Sequence, residues 1–126
     1  MSRRKLGTYA LGDDWIRVCY DVQRSDGIFY VRDKRMVVGL CHDLWRDVLD
    51  VLLHETLEYC LTRLNLAYEP MDQWTQSTSS RSFIMDHNQF TEACAMSAPF
   101  LTFVQPALAT VYNKAQKRRK KKGGKA

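Results

Sequence analysis

Histidine is scarce in this 126-residue chain, with three in all, and none of its four cysteines stands at CxxC spacing from another. The first shortage limits any histidine-based metal site to His42, His54 and His87. The second excludes a four-cysteine zinc site and offers no disulfide framework, so Cys19, Cys41, Cys60 and Cys94 read as buried free thiols. No apolar run reads as a membrane span. The basic N-terminus is followed by charge and glycine, not by the apolar stretch of a signal peptide. The expectation is a protein that stays in the cytosol and has no membrane partner.

The net charge of +5 is unevenly spread. Lys114, Lys117, Arg118, Arg119, Lys120, Lys121, Lys122 and Lys125 together outweigh it, so the body that precedes them is acidic. The consecutive cations Lys117, Arg118, Arg119, Lys120, Lys121 and Lys122 suit phosphate neutralisation without sequence readout, because no aromatic residue is interleaved to stack on bases. A solubilising tail accounts for the same composition. The length suits one domain, assigned to residues 1–113, with 114–126 as a disordered basic tail.

Patterning predicts an α+β fold: a short antiparallel sheet, a motif-bearing helix, then a second packed helix. Residues 15–22, 28–32 and 35–40 read as strands of an antiparallel meander, with Asp26-Gly27 supplying the positive φ of a hairpin turn. A helix follows over 43–65, with Trp45, Leu49, Leu52, Leu53, Leu57, Cys60 and Leu64 as its apolar stripe. Residues 67–85 read as a linker of mixed polarity, with 76–80 expected to be its most flexible part and Trp74 and Phe83 as packing residues. In the second helical run, Pro99 and Pro106 predict kinks or a break.

The helix over 43–65 carries the sequence His54-Glu55-Thr56-Leu57-Glu58. At i and i+4, His54 and Glu58 lie on one face, about 40° apart around the axis. Zn²⁺ accepts imidazole nitrogen and carboxylate oxygen at similar distances, so the pair suits two metal ligands. Glu55, about 60° from Glu58, flanks the pair and is placed to act as a general base. A further histidine would complete a His₂Glu set. His42, where a strand passes into the helix, is one candidate. His87 is preferred because it opens the stripe Phe90, Cys94, Ser97, Leu101, Val104, Leu108 and Val111, which should turn it inward. Glu92 falls about 140° from His87 and should face outward. Asp86 and Gln89 form a capping-box pattern that would start this helix beside His87.

The order of these pieces resembles small zincin-like proteins of bacteriophages and prophages. In those, a short sheet precedes an LLHEhhE or LLHEhhH helix, with h an apolar residue, and a later helix opens with another histidine. Leu52-Leu53-His54-Glu55-Thr56-Leu57-Glu58 and Asp86-His87-Asn88-Gln89-Phe90 carry the likeness, which covers residues 29–111. It implies a minimal metallopeptidase-like fold binding one Zn²⁺ through His54, Glu58 and His87, with Glu55 as base. The expected activity is metal-dependent hydrolysis of a peptide or protein substrate in the cytoplasm, that of the host cell if phage encoded. Residues 35–40, as an edge strand, would align the substrate, and Tyr59, Tyr68, His42 and Arg81 are unranked partners for the oxyanion. The competing expectation is a non-enzymatic protein of the same fold that binds nucleic acid or an acidic partner through its tail.

Overall fold

The chain opens with a strand whose first residues are all cationic. β1, Arg3–Leu11, turns through Gly12, at φ 61, and pairs antiparallel with β2, Asp14–Asp21. The computed structural model describes residues 3–64, 67–68 and 82–123. β1 escaped the sequence reading because Arg3, Arg4, Lys5 and Gly7 mask its pattern. It lies at a sheet edge, where charge is tolerated, and its register slips between Lys5 and Gly7.

β3, Gly27–Tyr30, and β4, Arg35–Gly39, form an antiparallel hairpin, but β4 then pairs parallel with β2. The strand order is β1-β2-β4-β3, so the sheet is mixed and the expected antiparallel meander is corrected. The segment after β2 reaches past one strand position, and Gly39 leaves it the room to do so. A Cβ there would collide with the carbonyl oxygens of Arg24 and Asp26. Leu40 N donates to Asp21 O and Cys41 N to Arg24 O, both at 2.9 Å, which ties this crossing down. β4 is therefore internal, and the edge strands are β1 and β3.

α1, Trp45–Arg63, packs on β3 and β4, and α2, His87–Gly123, packs on β1 and on α1. A short pair, β5 Ala67–Tyr68 with β6 Ser82–Phe83, lies between the helices in sequence. Most of the expected 67–85 linker, including Trp74 and residues 76–80, lies outside the described residues, as do Arg81, the side chain of Tyr68, and Lys125. Ile16 and Val18 of β2 and Met36 and Val38 of β4 alternate onto the helix-bearing face. They meet Val48, Leu52, Tyr59 and Cys60 from α1 and Ala93, Phe100, Val104, Leu108 and Tyr112 from α2. Edge-to-face ring pairs Tyr9–Phe100 and Phe29–Tyr59 join sheet to helices at 6.4 and 5.8 Å.

Each helix packs most of its expected stripe, with Leu52, Cys60, Ser97, Val104 and Leu108 buried and Trp45, Leu49, Leu64, Leu101 and Val111 against the core, but each face is also shifted in part. In α1 the buried set is Val48, Leu52, Glu55, Thr56, Tyr59 and Cys60, while Leu53 is exposed. In α2 it is Ala93, Ser97, Phe100, Val104, Leu108 and Tyr112, leaving Phe90 and Cys94 exposed. Cys41 is exposed too, so only Cys19 and Cys60 fit the expectation of buried thiols. α2 continues through Pro99 and Pro106 without the expected break.

α2 also runs on to Gly123, so residues 114–123 are helix and not the expected disordered tail. Gln116 Nε2 donates to His42 O at 3.0 Å and to Tyr112 Oη at 2.8 Å, and Arg119 reaches Asp43 at 3.5 Å. The expectation that nothing approaches a membrane span is corrected as well. By length and composition alone, 87–122 could cross one, with a mean hydropathy of 1.4 over an 18-residue window that is 22% buried. The run from Ala93 to Asn113 contains no charged residue, and its Ser, Thr, Gln and Pro only dilute the apolar average.

Candidate metal centre

α1 carries His54, Glu55 and Glu58 along the side that faces β3. One ligand atom from each lies within 4.8 Å of the others, and His54 Nε2 stands 3.0 Å from a Glu58 carboxylate oxygen. The exposures are graded: the His54 side chain is 70% exposed, that of Glu58 22%, and Glu55 as a residue only 6%. A cation seated there would meet an imidazole from solvent and carboxylates from the protein. The nitrogen and oxygen donors suit zinc and other borderline divalent ions.

Glu55 is buried because α1 turns it into its packed face, against the start of β3. A Cβ on Gly27 would lie 2.6 Å from Glu55 Cγ and 2.9 Å from Val51 Cγ1. The φ at Gly27 is not positive, which corrects the turn expected there. Glycine is required because the helix comes too close for any side chain. Burial, reinforced by the charge of Glu58 and opposed by that of His54, pushes the Glu55 carboxyl up to about 6.

Two clefts meet at Gly27 and Glu55. One, ≈ 580 Å³, runs beside Ile28, Phe29 and Val31 to Glu58 and Thr62. The other, ≈ 450 Å³, is walled by Ser25, Asp26, Asp50, Val51 and His54. Asp26 is held by Arg24, whose guanidinium lowers the pKa of that carboxyl. Asp50 went unremarked in the sequence, although a legible signal was there: Asp50, His54 and Glu58 stand four residues apart and so share a face of α1.

His87 is not in this group. It is exposed at the first turn of α2, where the expected capping box does form, with Asp86 N donating to Gln89 Oε1 at 2.9 Å and Gln89 N to Asp86 Oδ1 at 2.8 Å. The inward orientation expected of His87 is therefore corrected: the buried stripe of α2 starts at Ala93, outside the turn that holds His87. His42 is engaged elsewhere, its Nε2 2.6 Å from Ser25 O and its carbonyl accepting from Tyr112 and Gln116. Tyr59 is not an oxyanion partner here, since its hydroxyl donates to Asp14 at 3.0 Å. Lys117, Arg118, Arg119, Lys120, Lys121 and Lys122 are exposed along the last turns of α2.

No protein-family model, curated protein or solved structure matches this chain.

Proposed function

We propose that this protein is a metal-dependent hydrolase of peptide bonds, zincin-like in its site. The reading is carried by one observation: the ligand atoms of His54, Glu55 and Glu58 converge within 4.8 Å beside an edge strand. His54 and Glu58 are the proposed protein ligands of one Zn²⁺; His87, expected from the sequence as the third, stands outside the converging group. When bound, the ion would polarise a substrate carbonyl and acidify a water.

Glu55 is the proposed base. Ionised at neutral pH with a pKa of about 6, it accepts a proton in the cleft and returns it to the leaving amine. Its burial against Gly27 holds the carboxylate in place, so little reorganisation accompanies the transfer. The strand that would align an extended substrate is β3, not 35–40, because β3 is at the sheet edge and lines the cleft beside Glu55 and Glu58.

Metal analysis of protein purified without an affinity tag tests the premise, with about one Zn²⁺ per chain expected. Substituting His54 or Glu58 by Ala should each abolish retention, His87→Ala should leave it unchanged, and Glu55→Gln should keep the metal while losing peptide hydrolysis. Zinc retained undiminished by a His54→Ala/Glu58→Ala double variant refutes the reading.

A second reading, non-sequence-specific nucleic-acid binding, is favoured by the exposed cations 117–122. Deleting 117–126 should then abolish most affinity for unrelated duplexes. In the intact chain, log affinity should fall with log salt by about 0.9 per phosphate neutralised.

A further inference from the structure

Arg4 and Tyr20 are direct cross-strand partners on β1 and β2, so their side chains share one face of the sheet. Val22, two residues beyond Tyr20, continues that face, whereas Asp21 alternates to the other one beside Arg3. α2 brings Lys114 and Arg118, one turn apart, to the same place. Between them lies a cavity of ≈ 530 Å³ walled by Arg4, Tyr20, Gln23, Lys114 and Arg118, with Val22, Val111 and Ala115 as its apolar part.

No carboxylate lines this cavity, and none of the three cations has a carboxylate partner among the described residues. Like charges drawn into one concavity repel each other, and an anion held among them relieves that repulsion. The volume falls in the range of about 300–1,000 Å³ typical of small-molecule sites, more than a single phosphate fills. Two guanidinium forks and an ammonium suit several phosphoryl oxygens at once. The Tyr20 hydroxyl and the Gln23 amide add neutral hydrogen-bonding groups, and Val22 and Val111 leave apolar surface for the rest of a ligand.

We infer that this cleft, which shares no lining residue with the α1 site, binds a small molecule bearing a chain of two or more phosphates, such as a nucleoside triphosphate. The phosphates of a nucleic-acid backbone present the same chemistry, and Arg4 separates a built site from general attraction to the tail. It lies on β1, at the opposite end of the sequence from the cations 117–122.

Calorimetric titration of the full chain at near-physiological salt, with tripolyphosphate, ATP and a short single-stranded oligonucleotide as probes, tests the inference. Tripolyphosphate and ATP should each saturate one site. Arg4→Gln and Lys114→Gln should each weaken them about tenfold or more, the loss of one charge-assisted contact. A Lys120→Gln/Lys121→Gln/Lys122→Gln variant should bind them as wild type does. Arg4 and Lys114 are exposed on different elements, and thermal melting of each variant verifies its fold. The inference is overturned if neither phosphate probe binds at concentrations on the order of 1 mM. It is overturned equally if binding survives both Arg4→Gln and Lys114→Gln, or if the oligonucleotide alone binds.

Discussion

Replacing Asp14 should cost more stability than its place at the start of a strand suggests. Its carboxylate accepts from the Tyr59 hydroxyl at 3.0 Å and from Arg63 Nε at 2.7 Å, with Lys34 Nζ at 3.4 Å on the other oxygen. This cluster joins the start of β2 to the end of α1 and to the β3–β4 turn. Tyr59 is fully buried, so Asp14→Ala strands its hydroxyl without a partner, at about 1–3 kcal/mol. Arg63 and Lys34 are about half exposed and can turn to water, so their bonds add at most about 1 kcal/mol together after solvent screening. The expected loss is about 1–4 kcal/mol, or roughly 4–15 °C in Tm for a domain of this size. Tyr59→Phe removes the stranded donor, so the double variant should lose less than the sum of the singles, by about 1–2 kcal/mol. Urea unfolding followed by circular dichroism measures all four corners of the cycle. Burial pushes the Asp14 carboxyl up, but the bonds from Tyr59 and Arg63, the charge of Arg63 and the contact with Lys34 outweigh it, and the net shift is downward. A depressed folded-state pKa stabilises above the unfolded value of about 3.9, and that stability is lost as pH falls through the lower folded value. The gap between wild type and Asp14→Asn should thus stay level from neutral pH to about 5 and close below about 4. A loss under about 1 kcal/mol for Asp14→Ala, or strict additivity with Tyr59→Phe, would refute the reasoning.

Gly27→Ala should push Glu55 and Val51 away from β3, costing about 1–3 kcal/mol of stability and most of any hydrolytic activity while zinc retention persists. Undiminished turnover in that variant would show that the position of Glu55 is unimportant. Gly39→Ala drives a methyl group into the backbone carbonyls of Arg24 and Asp26, which no rotamer change relieves. It should lower the melting temperature more than Gly27→Ala does, where the neighbours are side chains. Titration of native protein with an aromatic disulfide reagent should release colour in two phases. Cys41 and Cys94 react at once, while Cys19 and Cys60 wait for unfolding; burial also pushes the Cys60 thiol up in pKa.

The sequence alone determined what depends on neighbours along the chain. His54, Glu55 and Glu58 had to share a helix side because one turn spans four residues, and the structure groups their ligand atoms accordingly. Asp86 and Gln89 had to cap a helix start because their reach is local, and they do. The α+β class and the basic excess near the end were legible for the same reason. Tertiary structure decided everything that depends on what an element packs against. Periodicity groups residues on a face but does not say which way the face turns, so Glu55 and Val48 are buried where Leu53 was expected, and His87 faces outward. Strand order was illegible because the crossing after β2 depends on room at Gly39, where the backbone of Arg24 and Asp26 passes against β4, a contact between segments that no local cue pairs. Gly27 looked like a turn glycine because Asp-Gly is a local cue. It is glycine because α1 presses Glu55 against it, a constraint that exists only once helix and sheet meet.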